Sequence, residues 1–169
     1  MKKYISLAFM TIAFSFGFVS CDVETNEEPG GTNVEKMAGR WDVVVNAVDE
    51  NGNVLYEDPY HMGTITIMTY NTSDNDGDKM WLDDRGEFWS FKMKVDVNYL
   101  ARTFSADERN YNAKGSGTAI VTDGKVLEGA AKNLHGMPND SIVFDIVFND
   151  DDNGLKYRIS RQRYTGFYE

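Results

Sequence analysis

His61 and His135 are the only imidazoles in this 169-residue chain, so hydrolytic or acyl-transfer chemistry would have to use one of them as its base. The serines give them no partner pattern. Gly115-Ser116-Gly117 and Ser160 both stand outside a nucleophile elbow, because Gly-x-Ser-x-Gly occurs nowhere. Both histidines fall in loop-like stretches at strand ends, and the sequence offers no catalytic set. Asp74-Asn75-Asp76-Gly77-Asp78 and Asp150-Asp151-Asp152-Asn153-Gly154 look like calcium loops only on the surface. With Gly77 or Gly154 in the glycine position of such a loop, the closing bidentate Glu is replaced by Asp83 or Ser160. Asp, Asn and Gly are what tight turns select, so these runs are expected as hairpin turns, with no metal and no cofactor.

The remaining constellation is apolar. From Glu87 to Asn98, Trp89, Phe91, Met93, Val95 and Val97 share one face of an expected strand, with Phe88, Ser90, Lys92, Lys94 and Asp96 on the other. From Asp140 to Asn149, Ile142, Phe144, Ile146 and Phe148 alternate in the same way, and Tyr157 and Ile159 follow on the last strand. The candidate ligand-contacting residues are therefore Trp89, Phe91, Met93, Ile142, Phe144, Ile146, Phe148 and Tyr157. The small residues Gly117, Ala119, Gly129, Ala130 and Ala131 leave room on one face of the stretch from Ser116 to Lys132. Such an interior can be filled by its own side chains or can hold one ligand, and the residues leave both open.

The elements that must position these side chains are short strands. Met37 to Val48 is β-branched and ends in Asp49-Glu50-Asn51-Gly52-Asn53, a hairpin signal, with Val54-Leu55-Tyr56 as the return. Gly63 to Thr72 alternates Thr with Ile and slips phase at Met68, which predicts a β-bulge. Met80 to Asp84 pairs with Glu87 to Asn98. Tyr99 to Asn112 carries no sustained alternation and reads as a strand end with an irregular loop or helical turn. Ser116 to Thr122 and Lys125 to Lys132 read as a hairpin about Asp123-Gly124, and Asp140 to Asn149 turns into Leu155 to Tyr164. No apolar stripe of helical period is long enough for a sizeable helix. Eight to ten hairpin-linked strands predict an all-β, single antiparallel up-and-down β-barrel, with a β-sandwich as the alternative.

The N-terminus reads as an address. Met1-Lys2-Lys3 and the apolar run from Ile5 to Val19 have the parts of a secretory signal peptide, assigned to residues 1–20. Phe18-Val19-Ser20-Cys21 resembles a bacterial lipobox, which would make Cys21 the lipid attachment site. As the only Cys, it can form no disulfide within the chain. Residues 21–36 are acidic and read as a flexible tether, leaving 37–169 as the barrel domain. Without its signal the chain carries 15 basic and 27 acidic residues, a balance of −12 that argues against nucleic acid as a partner. The expected address is the cell envelope, at the outer membrane or cell surface, through an N-terminal lipid anchor. Oligomeric state is not readable.

Gly39-Arg40-Trp41 resembles the Gly-x-Trp signature on the first strand of lipocalin-like (calycin) barrels. Those barrels set an Arg from the last strand across that Trp, and Arg161 and Arg163 are the candidates here, with Arg161 favoured as nearer the strand centre. With the lipobox and the length, the chain is similar to the lipocalin-like lipoproteins described as lipid-binding putative hydrolases in Bacteroidetes-type bacteria. The resemblance implies a small hydrophobic or lipid-like ligand inside the barrel. A solid-core barrel acting as a protein or glycan interaction module is the alternative, and a hydrolase comes third.

Overall fold

Period-two patterning carries through into nine antiparallel strands in the computed structural model, which describes residues 31–112, 115, 117–133 and 135–166. Cys21, the signal and the tether up to residue 30 lie outside the described residues. A 3-10 turn at Glu35–Met37 leads into β1 (Gly39–Val48), β2 (Val54–Glu57), β3 (Ile65–Asn71), β4 (Lys79–Asp83) and β5 (Lys92–Asn98). Then follow β6 (Thr103–Asn110), β7 (Thr118–Lys132), β8 (Pro138–Phe148) and β9 (Lys156–Arg163).

Closure is carried by β1. One edge pairs with β9 from Trp41↔Arg163 to Val48↔Lys156. The other edge pairs first with β3 (Gly39↔Thr69 to Val43↔Ile65) and then with β2 (Asn46↔Glu57 to Val48↔Val54). β2 and β3 thus lie in line along one edge, interrupted by the loop 58–64, and eight strands close into a barrel with β2 as the extra one. Asp58 holds that loop by accepting the backbone N–H groups of Met62 and Gly63, each at 2.8 Å. All four residues of β2 are exposed.

Alternation along β1 sends Trp41, Val43, Val45 and Ala47 inward, each at most 1 % exposed. They meet Ile67 from β3, Met80 and Leu82 from β4, Met93 and Val95 from β5, and Phe144 and Ile146 from β8, all in the same 0–1 % range. Burying each such side chain stabilises the fold by about 1.5–3 kcal/mol relative to leaving it exposed.

Four local expectations are corrected. First, β3 keeps continuous register with β1 and there is no bulge at Met68. Thr69 simply takes an inward position, 1 % exposed, because its hydroxyl has buried partners. Second, β5 begins at Lys92, so Phe88 and Trp89 lie on the loop 84–91 and not on a strand face. Third, the stretch 103–110 is a full strand whose alternation is broken by bulges against β7. Fourth, Asp123-Gly124 turns no hairpin: β7 runs straight through it, with Asp123 at φ 55° and register shifts against both neighbours. The residues fit a bulge as well as a turn, since both need a positive φ. Ahead of β1, Val34 and Met37 are also buried in the core.

Candidate ligand site

The two ends of the barrel are closed by different means. At the end where β1 begins, the Arg163 guanidinium lies over the Trp41 indole, 4.4 Å from its centroid, and donates to the carbonyl oxygens of Ala38 (2.6 Å) and Lys36 (2.9 Å). Asp140 pairs with it at 3.4 Å, and burial pulls the guanidinium's pKa below its ordinary value. Trp41 Nε1 donates to Thr69 Oγ1 (2.8 Å), which donates to the Met37 carbonyl (2.6 Å). Gly39 has no Cβ for a reason. A methyl there would sit 2.7 Å from Arg163 Nη1. Arg161 does not take part: its exposed side chain donates to Thr64 Oγ1 at 2.7 Å, so the expectation that favoured Arg161 is corrected to Arg163.

The opposite end is shut by aromatic rings drawn from loops and strands. Phe88 and Trp89 come from the loop 84–91 and Tyr60 from the loop 58–64; Phe148 and Tyr157 stand at the ends of β8 and β9. Trp89 stacks on Phe148 with centroids 4.8 Å apart and planes 12° off parallel, and Phe88 meets Tyr157 edge-on at 5.1 Å. Phe148 also meets Tyr111 edge-on at 5.3 Å. Only Phe88, Trp89 and Tyr60 in this group keep solvent exposure; Phe91, Phe148 and Tyr157 beneath them are at most 2 % exposed.

Carboxylates fix the rings by their polar edges. Asp150 accepts from Tyr111 OH (2.6 Å) and Trp89 Nε1 (3.1 Å), which hold its carboxyl below the ordinary range. Burial and Asp150 push Tyr111 up to about 12. Asp151 accepts from Tyr157 OH (2.8 Å) and from the N–H groups of Asn153 and Leu155, each at 3.0 Å. Tyr157 OH also shares a 2.7 Å hydrogen bond with Tyr60 OH. The acidic run after β8 therefore holds the aromatic mouth together.

The loop 84–91 hangs on Asp84, which is fully buried and accepts from the backbone N–H groups of Gly86 (2.8 Å), Phe88 (3.1 Å) and Trp89 (2.8 Å). Burial pushes its carboxyl above the ordinary range, and those N–H groups pull the other way without prevailing. Local sequence marks this loop only by Asp84-Arg85-Gly86, so Asp84 was not legible as its anchor.

Of the residues expected to contact a ligand, Phe91, Phe148 and Tyr157 stand together with Trp89 at the mouth. Met93, Ile142, Phe144 and Ile146 lie deeper, at most 1 % exposed among their neighbours. Small residues in β7 and just before it accommodate the protein's own rings. A Cβ on Gly117 would come within 2.5 Å of the Tyr111 ring, and one on Gly124 within 2.6 Å of the Phe104 ring. His61 sits on the loop 58–64 with φ 55°, beside an open depression that Tyr56 and Tyr60 also line.

A family model described as lipid-binding putative hydrolase matches residues 26–168 of the chain. No curated protein matches it.

Proposed function

We propose, from the premise that the chain belongs to the lipid-binding putative hydrolase family, that it is an envelope-anchored protein binding a small hydrophobic or lipid-like ligand at the aromatic mouth of its barrel. The observation that carries this reading is the division of the mouth between buried and half-buried rings. Phe91, Phe148 and Tyr157 are buried beneath it, whereas Phe88 and Trp89 sit half-buried on a loop outside the strand ladder. Withdrawing Phe88 and Trp89 breaks their hydrogen bonds to Asp84 and Asp150 and leaves the strand ladder intact. An apolar chain that displaced Phe88 and Trp89 would meet an aromatic cup with Asp150 and Asp151 at its rim. Lipid attachment at Cys21 would hold that cup at the envelope.

The test is a titration of the full chain, recovered from membranes and exchanged into amphipol, with 11-(dansylamino)undecanoate. Saturable dansyl enhancement is expected, with indole-to-dansyl energy transfer that is reduced in Trp89→Phe. No saturable uptake would overturn the reading and favour the solid-core interaction module. That second reading has its own observation: Val54, Leu55 and Tyr56 on β2 are 50–60 % exposed in a row, an apolar strip of the kind a protein partner covers.

A further inference from the structure

Between β5 and β6 the barrel wall has a seam that backbone hydrogen bonds do not close. β5 pairs with β6 only from Asp96↔Ser105 to Asn98↔Thr103. Above that the strands part, and they meet again where Lys92 N–H donates to the Tyr111 carbonyl at 2.7 Å. Arg109 spans the gap with its side chain, donating from Nη1 to the Lys94 carbonyl (3.2 Å) and from Nη2 to Asp96 Oδ2 (2.6 Å). A depression of about 440 Å³ lies over this seam, with the interior residue Met93 in its lining.

Its charge runs against that of the whole chain. The molecule is formally −10, yet the lining contains Lys92, Lys94 and Arg109 and no carboxylate among the described residues. The depressions at Asp96–Asp123, Asp76–Asp78, Glu57–Asp58 and Asp83–Arg85 each include at least one carboxylate. Two of the three cations are already paired, Lys92 with Asp83 at 3.8 Å and Arg109 with Asp96 at 2.6 Å. Lys94 makes no ion pair among the described residues and rests against Trp81, its Nζ 5.4 Å from the ring centroid. Lys92 approaches the same ring at 5.2 Å. Trp81 thus holds two ammonium groups over the seam, one of them without a carboxylate.

We propose that this seam is the head-group site of the ligand, which is a single-chain amphiphile with an oxyanion head, carboxylate or phosphate. The head sits on Lys92, Lys94 and Arg109, and the tail runs past Met93, where no ladder bonds obstruct it, toward Phe91 and the mouth. Charge complementarity argues for this occupant: a neutral lipid leaves the Lys94 charge unanswered, and a bare anion makes no use of the apolar floor. The assignment rests on the lipid-binding reading above and adds the class of head group to it.

The experiment uses the full chain in amphipol and compares 11-(dansylamino)undecanoate with its methyl ester, which has the same chain and no charge. The acid is expected to bind about tenfold more tightly than the ester. The double variant Lys92→Gln/Lys94→Gln should bring the acid down to the ester's affinity, with an unchanged thermal midpoint showing an intact fold. Dodecyl phosphate should displace the probe at far lower concentration than inorganic phosphate. Equal affinity for acid and ester, or an unaffected double variant, overturns the head-group site while leaving lipid binding in place. Displacement by inorganic phosphate as good as by dodecyl phosphate also overturns it, pointing to a simple anion site. Failure of both probes to bind overturns the lipid reading and this site with it.

Discussion

Arg163, the last residue of β9, lies across Trp41 of β1 at 4.4 Å and is the residue directly paired with it in the sheet. The two are 122 positions apart in sequence, so their stack forms only when the final strand closes the barrel. An Arg stacked on an indole contributes about 0.5–2 kcal/mol.

Trp41→Ala should destabilise the protein by about 3–5 kcal/mol, the cost of removing a large buried aromatic. Arg163→Met should couple to it by about 0.5–2 kcal/mol in a double-mutant cycle on urea midpoints, whereas Arg161→Met should add within about 0.5 kcal/mol. Additivity for Arg163 would mean that the stack contributes nothing to closure.

Gly39→Ala should lower stability chiefly through Arg163. The new methyl meets Nη1 at 2.7 Å, and a flexible guanidinium can move aside only by leaving the indole. The expected cost is about 0.5–2 kcal/mol, the value of the stack. It should largely vanish in an Arg163→Met background, and an undiminished cost there would place the strain in the backbone.

Gly117→Ala and Gly124→Ala should each destabilise by about 1–3 kcal/mol through overpacking. Trimming Phe104 to Leu should recover little at position 124, because the Phe104 carbonyl oxygen itself would clash with the added Cβ. Full recovery in Phe104→Leu/Gly124→Ala, read from thermal midpoints, would assign the clash to the ring alone.

Asp84 gives a pH dependence opposite in sign to that of Asp150 and Asp151, whose carboxyls are held low. Its folded pKa lies above the ordinary 3.8, so the folded chain holds that proton more tightly than the unfolded chain. The stabilisation is complete below the unfolded value and is lost as pH rises through the folded one. Asp84→Asn cannot titrate. The urea midpoint of the native protein relative to this variant should therefore climb as pH falls from about 7 toward 4. A constant difference across that interval would show that the N–H groups of Gly86, Phe88 and Trp89 offset the burial of the carboxyl.

Cys21→Ser should release the protein from membranes into the soluble fraction with an unchanged thermal midpoint. The expectation follows from the proposed lipid anchor and from the acidic stretch that separates Cys21 from the barrel. Carbonate-resistant membrane association of the variant would count against the anchor.

What the sequence determined by itself are the properties written at short range. Alternation along 142–148 identified an inward face, and Asn51-Gly52 and the run 150–154 marked where the chain turns, because side-chain period and positive-φ preference act within a few residues. The same signals could not say whether Asp123-Gly124 turns a hairpin or bulges a long strand. Both use a positive φ, and the choice lies in the pairing of this stretch with β6 and β8 on either side. Trp89 continued the alternation of Phe91 and Met93, yet the ladder stops at Lys92, since Asp84 captures the backbone N–H groups of Phe88 and Trp89 first. Arg161 and Arg163 were equivalent by spacing and are separated only by β1. Tertiary structure alone decided which Arg closes the floor, which rings plug the mouth and where the wall between β5 and β6 parts, because each depends on residues that meet only when the barrel closes.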